Sequence, residues 1–465
     1  MPDKTAYIIV DLGYGDAGKG SLVDALTART GAKLNVRFNG GGQAAHNVVL
    51  PDGRHHTFSQ FGSGMFNPTV ATYLSRHFLW NPITMQAEAK ILDGTIEHGT
   101  DLSSEVMKRT YVDSGALVVT PWHQAMNRLR EFARADKRHG SCGVGIGEAM
   151  AEAQSKPVLS LWAEDLRGWS MEKLKRHLEQ VADYNRSLWA QVIRDHDLTA
   201  KIPDFLRKDH DFLFNREAPG KCASLLKQIA HDIHMVIGEA EVKMLFDNSE
   251  DVIFEGAQGI LLDEKYGFDP YTTWSTCTSR NARQSLKMIG WAGQTKVIGA
   301  LRAYAVRHGD GPFITEDHHY VEEFQDEHNT FNNWQGAPRF GWFDAAAAHY
   351  AMVADRESSL DYAGCSSPWG IHSLAITNLD RVHKLLKDGK HWKICTGYTW
   401  NGGGPIVFEP GCFTPPAAMT DALFQAEPVY GRRGNTISDL LAAIETLLHC
   451  PIEITSQGPT RDEKL

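Results

Sequence analysis

The feature that most constrains this chain is a junction near its start. Ala6-Tyr-Ile-Ile-Val10 is a continuous apolar run rich in β-branched residues, and such a run reads as a strand buried on both faces of a parallel sheet. It leads into Gly13-Tyr-Gly-Asp-Ala-Gly18-Lys19-Gly20, after which Ser21 to Arg29 reads as a helix. A strand, a glycine-rich turn and a helix in that order make a phosphate site. The glycines let backbone N–H groups turn toward phosphate oxygens, and the helix N-terminus adds partial positive charge. Gly13, four residues, then Gly18-Lys19 satisfy the first part of the P-loop pattern. The hydroxyl residue that normally follows the lysine is missing, since Gly20 stands there and Ser21 comes one later. A metal ion would therefore need another ligand, for which Asp16 is the natural candidate. From the loop alone, a tight turn with a solvated lysine and a capping Asp16 stays open.

The rest of the chain continues the alternation. Strands are predicted at 34–38, 116–120, 252–254, 295–305, 374–377 and 452–455, and helices at 172–194 and 221–245. This predicts an α/β fold with a large, mainly parallel sheet flanked by helices. No linker, repeat or composition shift divides the 465 residues, so they are read as one domain with helical and loop excursions. The formal charge of −10 disfavours nucleic acid or an anionic membrane as partner. Any bound phosphate must then be held by a local positive site. Seven cysteines, none spaced as CxxC, read as free thiols without a zinc site. The first residues lack the pattern of a signal peptide, and no run of about 18 apolar residues occurs. The expected location is cytoplasmic.

Further blocks carry a resemblance. Tyr14-Gly-Asp-Ala-Gly-Lys-Gly20, Asn39-Gly-Gly-Gly-Gln-Ala-Ala-His46, Phe254-Glu-Gly-Ala-Gln-Gly259, Arg302-Ala-Tyr-Ala-Val-Arg307, Gly341-Trp-Phe-Asp344, Thr377-Asn-Leu-Asp380 and Ser456-Gln-Gly-Pro459 occur in this order. Together they resemble the adenylosuccinate synthetase family over nearly the whole chain. The resemblance implies a homodimeric enzyme that phosphorylates the 6-oxygen of a purine nucleotide with GTP and lets the amine of aspartate displace that phosphate. It implies Mg²⁺ as cofactor, held by Asp16 and the backbone carbonyl of Ala45. Asp16 would also take the purine N1 proton, and His46 would donate to the transferring phosphoryl group. Gln258 would contact the base and its 6-oxygen. Gly15, Gly18, Lys19 and Gly20 would cradle phosphate, while Asp380, Ser456 and Gly458 would enclose the donor base. Ser141, Thr273 and Arg307 would bind the acceptor, and Arg339 the amine donor.

Four departures from the family pattern bear on substrates. Ser141-Cys-Gly-Val-Gly-Ile-Gly-Glu148 has Val144 where an arginine is expected, and 149–166 contains a single basic residue, Lys156. Trp334-Gln-Gly-Ala-Pro-Arg-Phe340 keeps one arginine of an arginine-rich loop, and Asn378 replaces a lysine that packs on guanine. The expectation is retained activation chemistry with altered acceptor and amine pockets, and with GTP or ATP as donor. A housekeeping adenylosuccinate synthetase and a non-catalytic nucleotide sensor are the alternatives.

Overall fold

A computed structural model describes residues 4–95, 104–135, 140–196, 202–324, 334, 336–359, 370–400, 405–406 and 416–465. Its centre is a sheet of nine strands. In spatial order these are Ile452–Thr455, Ser373–Thr377, Gln294–Arg302, β1 (Thr5–Asp11), Val252–Glu255, β2 (Leu34–Arg37), Ala71–Leu74, Thr110–Asp113 and His234–Val236. Every neighbouring pair is parallel. β1 lies well inside the sheet, next to its middle strand, and Ile8, Ile9 and Val10 are completely buried, as expected where helices cover both faces. The helix after the glycine loop, α1 (Lys19–Thr30), stops at Gly31. There the backbone turns left-handed and the Gly31 N–H bonds the Thr27 carbonyl, an ordinary helix end.

Three expectations need correction. The strand expected over 295–305 ends at Arg302, and Ala305–Arg307 is a separate strand that pairs antiparallel with Arg339–Gly341. Residues 116–120 are buried and extended but form only isolated bridges, Val118 with Trp80 and Leu117 with Trp162. The strand that joins the sheet is Thr110–Asp113, whose polar ends hid it from an apolar-run criterion. The helix expected over 221–245 is two helices, Ala218–His231 and Glu239–Asp247. Between them His234–Val236 forms the edge strand, and Gly238 turns with a φ of 84°. Among the described residues no helix is long and apolar enough to cross a membrane.

All-parallel order brings the carboxyl ends of the strands to one edge, where ligands of open α/β sheets sit. Asp11, Arg37, Glu255, Arg302 and Thr377 each end a strand there. Gly259 shows how closely the loops on that edge approach. A Cβ on Gly259 would overlap the Gly13 carbonyl and the Gly15 nitrogen of the phosphate loop. Gly259→Ala is therefore expected to lower stability by about 1–3 kcal/mol, the usual cost of overpacking, in a urea or thermal unfolding comparison. An unchanged unfolding midpoint would show that the two loops do not pack this closely.

Candidate active site

The phosphate loop turns through three left-handed residues, Gly15 (φ 97°), Asp16 (φ 61°) and Gly18 (φ 75°). Asp16 is not a glycine, so its conformation is one that side chains seldom adopt. Its carboxylate meets Nε2 of His308 at 3.1 Å. Nε of Arg302 donates to its backbone oxygen at 2.5 Å. Burial works against the charge on Asp16, but the His308 contact and the nearby charges of Arg302 and Lys19 outweigh it. They hold the carboxyl well below its usual range.

Lys19 is almost completely buried. Its ammonium does not stand free above the loop but pairs with Asp11 at 2.7 Å. Gly20 sits against the segment that carries His46, and a Cβ there would lie 2.7 Å from the His46 Cβ. That contact accounts for a glycine where phosphate loops usually carry a hydroxyl residue.

His46 is held from behind. Its Nδ1 bonds Glu255, and Glu255 also accepts from the Ser63 hydroxyl at 2.5 Å and the Ser63 N–H at 2.8 Å. Strand register puts Arg37 of β2 directly beside Glu255. Neighbouring strands are only about 4.8 Å apart, and both side chains are fully buried. Burial raises the Glu255 carboxyl, but Arg37, His46 and Ser63 bring it down to about 2. Burial lowers the pKa of His46 against the opposing pull of Glu255. The imidazole thus donates an Nδ1–H hydrogen bond to a carboxylate that stays ionised, which fixes the ring orientation.

Gln258 lies at the next turn with a φ of 54°. Its Oε1 is buried and has no protein partner, and the same holds for both polar atoms of the Gln43 side chain. A Cβ on Gly40 would lie 2.8 Å from Gln258 Oε1 and 3.5 Å from Gln43 Nε2, so the two amides flank one spot. Buried amides without partners are costly unless something fills the site.

The remaining sequence-derived residues cluster around this centre in different states. Ser141 Oγ accepts from Asn127 at 2.7 Å, and its loop touches Gly309 through Gly140. Thr273 is half-buried in the turn after Leu262. Arg307 is buried, stacks on Tyr14 at 4.4 Å and donates to the carbonyls of Asp310 and Pro312. Arg339 grips both oxygens of Glu316 through Nε at 3.0 Å and bonds the Gly309 and Gly311 carbonyls. Ala45 is exposed next to His46.

At the far end, Thr377 Oγ1 bonds the Ala17 carbonyl and so links the phosphate loop to Asn378 and Asp380. Asp380 starts a helix beside Arg381 Nε at 3.3 Å, and burial raises its carboxyl. Ser456 joins them by accepting the Leu379 N–H and donating its hydroxyl to the Gly458 carbonyl. Val144, Gly42, Gln60, His56 and Glu88 border a cleft of about 570 Å³, within the range of small-molecule sites. The sequence reading missed Glu255, Gln43, His308 and Asp11. For the first two the signal was available, since both lie inside blocks already singled out.

The model of the family described as adenylosuccinate synthetase matches residues 8–465. The chain belongs to the adenylosuccinate synthetase family. Members of this family are GTP-dependent carbon–nitrogen ligases. Adenylosuccinate synthetase 2 of Chromobacterium violaceum is 27% identical, with 98% of this chain and 97% of that protein aligned. The adenylosuccinate synthetase of Magnetococcus marinus is 29% identical at the same coverage. The fold matches fully ligated adenylosuccinate synthetase from Plasmodium falciparum with a TM-score of 0.73, at 20% identity over 98% of both chains. It also matches the succinoaminodeoxyadenylate synthetase of cyanophage S-2L, bound to dGMP and to dATP as an energy donor. That TM-score is 0.55, at 17% identity over 100% of this chain and 95% of that one. The expected fold and family are those found.

The Glu255 network leads to a direct test. Glu255→Gln replaces the carboxylate with an amide that can donate as well as accept, freeing His46 to turn. Turnover is expected to fall by about 10²-fold or more, as for His46→Asn, measured as phosphate release under saturating substrate. Retention of near-wild-type turnover would remove Glu255 from the account.

Proposed function

We propose that the chain is a purine-triphosphate-dependent ligase that phosphorylates the 6-oxygen of a purine nucleotide and couples an amine at that carbon. The observation that carries this reading is the convergence of Asp16, Lys19, His46 and Gln258 on one edge of the sheet, with Glu255 fixing His46 from behind. A protein that only senses nucleotide needs the phosphate loop but not a carboxylate held ionised and a histidine oriented by a buried acid.

In this reading Asp16 takes the purine N1 proton as the 6-oxygen attacks the terminal phosphorus and the nucleoside diphosphate leaves with the bridging oxygen. It stays ionised for that role because His308, Arg302 and Lys19 surround it. Gln258 and Gln43 supply donors and acceptors to the acceptor base, which fits amide atoms lacking any partner within the protein. His46 turns its Nε2 toward the phosphoryl oxygens, and an arriving anion favours the protonated ring that can donate there. The amine then attacks carbon 6 and phosphate leaves with the former 6-oxygen.

Mg²⁺ fits as a partner of Asp16 and the Ala45 carbonyl. Among the described residues no group of three or more His, Cys, Asp or Glu could hold a metal alone. Mg²⁺ commonly needs only one or two carboxylates, with phosphate oxygens and water completing its shell. When bound it would neutralise charge on the phosphates. GTP is the proposed donor, because a carboxylate at Asp380 accepts the two N–H donors of guanine. The dATP seen in the cyanophage relative shows that donors vary within this fold. We also propose a homodimer.

The amine donor is where this chain parts from aspartate. Arg339, the arginine expected to meet the amine donor, is already occupied by Glu316 and two carbonyls, and Arg307, expected at the acceptor and near enough to help, is held by two further carbonyls. Among the described residues, a dicarboxylate therefore lacks the paired, two-pronged arginine contacts that would hold it. With aspartate, glutamate, glycine, alanine and asparagine compared by mass spectrometry of products, a donor with one carboxylate is expected to be used best, or aspartate only with a raised KM. Tight and exclusive use of aspartate that survives Arg339→Ala would overturn this assignment.

A further inference from the structure

Beneath the phosphate loop lies a carboxylate with no role in the reaction above. Asp11 ends β1 and is 1% exposed. Its Oδ1 accepts the N–H of Gly13 at 2.9 Å and of Gly15 at 3.4 Å. Its Oδ2 accepts the N–H of Ala17 at 3.0 Å and the Lys19 ammonium at 2.7 Å. Three amides of a loop built to hold an anion thus already hold one, and it is part of the protein. Such a carboxylate does what a bound phosphate does in other loops of this kind: it pulls successive N–H groups to one point and fixes the turn.

We propose that Asp11 is a positioning residue for the phosphoryl donor, an internal anion that keeps the loop folded and Lys19 aimed before any nucleotide arrives. The inference rests on the purine-triphosphate reading above. An ammonium has three donors, so the one given to Asp11 leaves two for phosphate oxygens. The first-turn amides of α1 remain at the helix N-terminus to meet the same phosphates. Because Lys19 is fixed by a charge-assisted bond, the rotamer freedom that a loose lysine would lose on binding is already lost in folding. The triphosphate therefore meets a finished bracket, and Asp11 reaches it only through Lys19 and the loop.

Titration calorimetry of the full-length protein with GTP and, separately, with inorganic tripolyphosphate, both in Mg²⁺, tests this. Asp11→Asn is expected to weaken both ligands by about tenfold or more. Lys19→Met should do the same, and the double variant should be no worse than either single one, since coupled neighbours are non-additive. A merely structural contribution would add to the Lys19 effect. Unchanged affinity in Asp11→Asn, or additive losses, would overturn the proposal and leave the donor reading intact. Failure of the wild type to bind either probe would overturn both. If Asp11→Asn does not fold, amide exchange in the wild type decides. The Gly13, Gly15 and Ala17 amides are expected to exchange slowly in the nucleotide-free protein and no more slowly with GTP. Fast exchange that GTP suppresses would overturn the proposal.

Discussion

The buried carboxylate of Glu255 is the point on which the site depends. It is fully enclosed, and an ion in that position is tolerated only when charge and hydrogen bonds surround it. Arg37 gives the charge from the neighbouring strand, Ser63 gives two hydrogen bonds, and His46 takes what remains. Removing Arg37 would leave that buried carboxylate without its fixed charge partner, at a cost of several kcal/mol. The register of two parallel strands, β2 and Val252–Glu255, is thereby tied to the orientation of one imidazole. Packing of Gly20 against the His46 Cβ ties the same imidazole to the phosphate loop.

Much of this edge follows from the all-parallel sheet, and that part was legible. The buried run of β1, the glycine loop and α1 form one continuous signal, and the chain folds there as its local pattern says. The edge of the sheet was less legible. Thr110–Asp113 is short and polar at both ends, whereas the more apolar 116–120 crosses between loops. At the site, residue types that name a role by themselves were found, among them Asp16, His46 and Lys19. Residues whose role comes from a distant partner were not. Glu255 matters because Arg37 and His46, more than 200 positions earlier, are folded against it. His308 matters because it meets Asp16 across the site. Asp11, one residue past the apolar run, reads as the polar end of a strand until the loop amides are seen to converge on it.

Two of the segments that depart from the family pattern lie to the side of this centre. Val144 borders the large cleft beside Gly42, and Trp334 packs near Gly143 and Phe205. Arg339 is present in sequence yet paired with Glu316, a residue 23 positions away in a neighbouring block. A count of arginines therefore overstates the positive charge on offer to a ligand. Phosphoryl-transfer groups are kept and bound tightly into the fold, while the groups that would select substrates are changed or already occupied. The proposal of a retained activation step with an altered acceptor and amine rests on that division.

The fate of the purine 6-oxygen tests this most directly. Inosine and guanine nucleotides carrying ¹⁸O at position 6 would be incubated with GTP, Mg²⁺ and the amine panel, and the released phosphate examined by mass spectrometry. If the chain activates the 6-oxygen by phosphorylation, the phosphate formed alongside coupled product carries the label. Unlabelled phosphate would mean that the triphosphate is hydrolysed by water and that the purine oxygen is never activated, which contradicts the account.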